Sequence, residues 1–163
     1  MKALTLTQPY ATLVAIGAKR IETRSWATSY RGPLAIHAGA GLGPVGGKGG
    51  LWELCTRPPF STVLLNSLPL GAVVAMARLV DCCPMACWYE QWSGEPDTLE
   101  IGYIRHGLRV AVDDRERAFG DYSPGRYAWL LADVRPLAEP IPAKGALGLW
   151  EWEPQERAAA PSE

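Results

Sequence analysis

Apolar and polar residues alternate over Lys2 to Leu6, which predicts a short first strand. Thr7 then stands where a helix N-cap belongs, and Pro9 fits a first helical turn because its missing N–H would be unpaired there anyway. Tyr10, Leu13, Val14 and the neighbouring alanines form one apolar face, so a helix is predicted over residues 8–16, with Gly17 as its stop. From Lys19 to Trp26 the period changes to two. Ile21 and Thr23 share one side of this second strand; Glu22, Arg24 and Trp26 share the other. A row of acid, base and aromatic on one strand face is unusual for a plain exposed edge.

Arg31-Gly32-Pro33 turns the chain into a third strand, Leu34 to Ala38. Residues 39–50 are glycine-rich and read as a loop. Lys48 in that loop invites a phosphate-loop reading, which fails because Gly49-Gly50 follow it instead of Ser or Thr opening a helix. Short helices are expected over residues 51–55 and 60–65, around Pro58-Pro59. Gly71 to Cys82 is a largely apolar strand through Val73, Val74, Met76, Leu79 and Val80. Residues 84–124, with scattered Trp88, Trp92 and Tyr103, resist parsing and are taken as an excursion with one short helix. Gly125 to Val134 is a further strand, ended by Arg135-Pro136. Ile141 and residues 145–152 supply the last β segments, and residues 154–163 are expected to fray as a tail. Many short strands punctuated by Gly and Pro, with few helices and no internal repeat, predict a single α+β domain over residues 1–153 built as a small β-barrel with short flanking helices.

Charge narrows the function. With 16 Lys and Arg against 17 Asp and Glu the net charge is −1, which argues against a protein that lives on non-specific phosphate neutralisation. A local cationic cleft for one nucleotide or one RNA shape is still compatible. Cys55, Cys82, Cys83 and Cys87 lack metal-clamp spacing, since adjacent Cys82-Cys83 cannot form one C-x-x-C pair and only His37 and His106 could add imidazoles. Reduced cytosolic thiols are expected, with no metal and no cofactor. Apolar runs stay strand-sized and no cleavable leader is readable, so the expectation is a cytoplasmic protein without membrane partners.

The string Thr5-Leu6-Thr7-Gln8-Pro9-Tyr10-Ala11, followed by Gly17, Lys19, Glu22, Arg24 and Trp26 in G-x-K-x-x-E-x-R order, resembles the ASCH signature. Ile36-His37-Ala38, the strand from Gly71, Gly125-Arg126-Tyr127-Ala128-Trp129 and Lys144-Gly145 through Trp150 extend the resemblance from residue 3 to about residue 152. The resemblance implies a PUA-like barrel with a cleft beside the first helix, and a role with RNA or nucleosides. Within this family some relatives resemble amidohydrolases of N4-acetylcytidine, some have been proposed as ribonucleases, and others only as binding modules. Fold does not choose among them.

Each candidate residue has a working role and a plainer one. Lys19 and Arg24 suit phosphate or a base edge, or else form a surface salt bridge with Glu22. Gln8 could read a base or simply cap the helix, and Tyr10 and Trp26 could stack on a base, with Tyr10 equally placed to be core. His37 is a titratable group or a hydrogen-bonded structural histidine. Tyr122, Arg126 and Trp129 are candidates for the cleft's far wall, Arg126 first. The amidohydrolase pattern of lysine, threonine three residues on and a later-strand glutamate is met only at Lys19, because Glu22 holds the second place and the long strand offers only Arg78 and Asp81. Lys19 and Glu22 are therefore the catalytic pair if the protein is an enzyme. Two readings lead: RNA or nucleoside binding through the Lys19/Glu22/Arg24 cleft, and hydrolysis of RNA or a modified nucleoside there. A protein-interaction module using surface tryptophans is the third, with its protein partners unspecified.

Overall fold

A computed structural model describes residues 1–42, 68–90 and 98–154. In chain order these form β1 (Lys2–Gln8), α1 (Tyr10–Ala15), β2 (Ile21–Arg24), β3 (Gly32–Leu42), β4 (Ala72–Glu90), β5 (Thr98–Arg105), β6 (Leu108–Ala111), α2 (Asp114–Arg117), β7 (Tyr127–Pro142) and β8 (Leu149–Glu151). The expected short helices over residues 51–55 and 60–65, most of the glycine-rich loop, Trp92 and nearly all of the tail lie outside the described residues.

The sheet runs β2-β7-β4-β3-β1-β8, with β5 and β6 branching from the far end of β4. β1 and β3 pair in parallel, and the other pairs are antiparallel. The α+β class therefore stands, with a mixed sheet and two short helices. Closure into a barrel is not seen: among the described residues β2 and β8 end the hydrogen-bonded order without pairing to each other. The cross-strand core is apolar, with Leu4, Leu34, Ile36, Leu79 and Trp129 almost fully enclosed. α1 lays Ala11 and Val14 against this core. Each large apolar side chain buried there stabilises the fold by roughly 1.5–3 kcal/mol.

Several boundaries differ from those the pattern predicts. β1 runs on to Gln8 because its end pairs with Leu42 across a register shift, so α1 begins at Tyr10 with Pro9, and not Thr7, before it. β4 is 19 residues long rather than ending at Cys82; beyond Pro84 it leaves β7 and pairs with β5 instead. Among its described residues the excursion is thus sheet for just over half its length, with the short helix α2 after it. β7 passes through Arg135-Pro136 without stopping, because Pro136 pairs near register shifts where a missing N–H is tolerated.

Candidate functional site

α1 ends abruptly. Gly17 takes φ +73, and the N–H groups of Ala18 and Lys19 both donate to Leu13 O, at 2.9 and 3.0 Å. This exit turns Lys19 inward, and its side chain is 1% exposed. The plainer sequence reading makes Lys19 a surface partner of Glu22; a buried ammonium is a different chemical object. Its Nζ donates to Ile21 O at 2.5 Å and to the Tyr122 hydroxyl at 3.1 Å. Glu22 and Glu116 lie 3.8 and 3.9 Å away. Burial pushes the amine below its ordinary 10.5, while the charges of Glu22 and Glu116 oppose that and Arg24 adds to it.

Glu116 is the residue the sequence did not reveal. It sits on α2, whose start is capped by Asp113 Oδ1 accepting the Glu116 N–H at 2.7 Å. The Glu116 carboxylate accepts from the Arg20 N–H at 3.0 Å, the Ile21 N–H at 3.0 Å and the Tyr122 O–H at 2.9 Å. The Tyr122 oxygen is also 3.0 Å from Ile21 O, but a phenol has one proton. The carboxylate is the stronger acceptor, and Lys19 already serves that carbonyl. Burial, followed by the Glu116 charge, drives the Tyr122 phenol far above its ordinary range, so it stays protonated.

In front of Lys19 opens a cleft of about 480 Å³. Tyr10, Lys19, Glu22, Arg24, Trp26 and Arg126 line it, joined by Thr23, Gly120 and Asp121. Arg24 donates from Nη2 to Thr5 O at 2.8 Å. Its Nε lies 3.2 Å from Glu22 Oε1, yet has no aligned hydrogen bond, so this is a charge contact only. Arg126 donates to Thr23 O at 3.1 Å and lies 3.4 Å from Asp121. Trp26 packs edge-on against Trp129 at 4.6 Å. Each of these two guanidinium groups thus has one Nη2 fixed by a backbone carbonyl while the residue lines the cleft.

Other candidates lie elsewhere. Gln8 is fully buried, donating to Pro69 O at 2.8 Å and accepting from the Thr12 N–H at 3.1 Å, so it braces α1. His37 is buried beside Trp150 with Nε2 2.9 Å from Ala143 O, and it lines a separate cavity of about 340 Å³. Trp129 is core. Arg78 is exposed, and Asp81 pairs with Arg31 and Arg105 instead of facing the cleft. Gly120 and Asp121 escaped notice because short polar or small residues carry no periodic signal, and Thr23 lines the cleft although strand alternation put it on the face opposite Glu22 and Arg24.

The family model of the ASCH domain matches residues 4–141. No curated protein matches the chain. No helix among the described residues is long and apolar enough to cross a membrane.

Proposed function

The chain belongs to the ASCH domain family, and we propose that it recognises RNA or a nucleoside in the cleft in front of Lys19. The observation that carries this reading is the convergence of Arg24, Arg126, Lys19 and Glu22 with Tyr10 and Trp26 around one opening. Its volume of about 480 Å³ falls within the range of small-ligand sites. Aromatic rings offer stacking surface, guanidinium forks suit phosphate or base-edge acceptors, and a carboxylate suits exocyclic amines. With acids interleaved among the bases, the site favours a base with a few flanking phosphates over a long polyanion.

Titration of the full chain with nucleosides and short single-stranded RNA, followed by calorimetry, tests it. Arg24→Ala removes a charge-assisted contact and is expected to weaken binding by roughly 1.5–3 kcal/mol, about ten- to hundredfold. Unchanged affinity across Arg24→Ala, Lys19→Ala and Glu22→Gln, each folded by its melting curve, would sink the reading.

Hydrolysis is the second reading, and one observation favours it: Lys19 is a buried amine held below its ordinary pKa with carboxylates at 3.8 and 3.9 Å. Such an amine is more available for proton transfer than an exposed one. Glu22→Gln separates the two readings. In an enzyme it spares binding and abolishes turnover; in a binder it weakens binding modestly and there is no turnover to lose.

A further inference from the structure

The connector from β7 to β8, residues 143–148, stands between two cavities. One is the cleft in front of Lys19; the other is the cavity of about 340 Å³ beside His37. Thr5, Ala146 and Leu147 line both, so the cavities are neighbours across a shared rim. That rim lies at the molecular surface: Leu147 is 98% exposed, and Lys144, Ala146 and Gly148 are exposed beside it. A ligand can pass from one cavity to the other over Leu147 without parting any buried contact. The connector is meanwhile fixed from beneath. The Ala143 N–H donates to Gly71 O at 2.9 Å, and the Ala143 carbonyl lies 2.9 Å from His37 Nε2. Gly145 packs against the same imidazole, where a Cβ would fall 2.5 Å from His37 Cε1. Thr5 is the divide on the β1 side. Its carbonyl accepts from Arg24 in the cleft at 2.8 Å, while its hydroxyl accepts from Trp150 Nε1 at 3.1 Å.

The two cavities differ in chemistry. Charged forks and aromatic rings meet in the cleft, whereas the second cavity is walled by Gly39, Ala40, Gly71 and Ala143, with Lys144 as the cation at its edge. Unbranched glycine and alanine walls suit the flat face of a ring, and an exposed ammonium suits a phosphate. We propose that this second cavity is a subsite for the adjoining nucleotide of a single strand whose first nucleotide occupies the cleft. The strand crosses Leu147, its next base lies against the small-residue walls, and a phosphate meets Lys144. The ligand class is then a single-stranded oligonucleotide of two or more residues, not a free nucleoside. This inference rests on the proposed function and narrows its ligand.

Lys144 and Ala40 line the second cavity and not the cleft, and both are exposed. Lys144→Ala and Ala40→Phe therefore remove its cation and fill its space while sparing the core. Calorimetry on the full chain compares nucleoside 5′-monophosphates with 5′-phosphorylated ribodinucleotides of the same leading base. The dinucleotides should bind roughly tenfold tighter or better. Each substitution should cost the dinucleotides about fivefold or more, and leave the monophosphates within about twofold. Dinucleotides that bind no tighter than monophosphates, or that bind tighter but ignore both substitutions, would overturn the second subsite and leave the cleft reading standing. Binding of neither ligand class would overturn the proposed function and the subsite with it.

Discussion

Lys19 and Tyr122 titrate in opposite senses, and that makes their shared site testable through stability. The Tyr122 phenol is held above its ordinary 10.0 by burial and by Glu116. A raised native pKa contributes stability that is full below the unfolded value and lost as pH climbs past about 10, because the unfolded phenol ionises and the native one resists. Lys19 has a lowered native pKa. Between that lowered value and 10.5 the unfolded chain binds more protons, so its contribution rises with pH. Tyr122→Phe removes one hydroxyl that serves both Glu116 and Lys19. It should destabilise the fold by about 1–3 kcal/mol at neutral pH and abolish the phenol's share of the loss above pH 10. Denaturant midpoints measured from pH 7 to 11 check both statements. Lys19, Glu22 and Arg24 were legible because they fall together on one short stretch of alternating chain. Glu116 was not: Asp-Arg-Glu-Arg in a four-residue helix reads as a solvated surface turn, and only the tertiary fold shows its carboxylate taking the N–H groups of Arg20 and Ile21 where β2 begins. For Gln8 and His37 the sequence left a working and a plainer role side by side, and the buried backbone partners of both fit the plainer one.

Elements were legible where one face is buried over a continuous run, as in β1, β3 and the first half of β4. Boundaries were not, because a strand continues wherever a partner exists, and partners come from distant sequence. Pro136 would end an isolated strand, but within β7 it costs little at an irregular register. The excursion past residue 84 hid a hairpin, β5–β6, whose edge strand β6 is mostly exposed and so lacks alternation. Asp81 ties this region to the main sheet. It accepts from Arg31 Nη2 at 3.0 Å, Arg105 Nε at 2.9 Å and the Cys82 N–H at 2.9 Å. Burial works against the charged carboxylate, yet these donors prevail and hold it below its ordinary 3.8. A depressed carboxylate gives stability present above the unfolded pKa and lost as pH falls through the native one. Asp81→Asn should therefore cost about 1 kcal/mol at pH 7, since both arginines are partly solvated. That deficit should shrink below pH 4, where Asp81 begins to protonate in the unfolded chain while the native carboxylate still resists. Thermal melting across pH 3 to 7 checks this.

For the molecule as a whole, most strands of the main sheet order were readable, while the β5–β6 branch and closure were not. Periodicity counts strands but says nothing about whether the first and last of the order meet, and here β2 and β8 stay apart. Charge is the property that does scale up from sequence to behaviour. The chain carries −1 overall, while the cleft gathers Lys19, Arg24 and Arg126 against Glu22 and Asp121. The excess cation is local and small. Single-stranded nucleic acid releases counterions in proportion to the phosphates neutralised, with a log–log slope of about −0.7 per phosphate. Two to four phosphates facing Arg24, Arg126 and their neighbours then give a slope of about −1.5 to −3. An extended basic track would give a far steeper one. Affinity for a short single-stranded RNA, measured between 50 and 300 mM salt on the full chain, distinguishes these cases. The cleft reading predicts the shallow slope, and Arg24→Ala should make it shallower by somewhat less than one. A slope steeper than about −6 would mean that phosphates are held along a surface outside this cleft, and the proposed site would have to be abandoned.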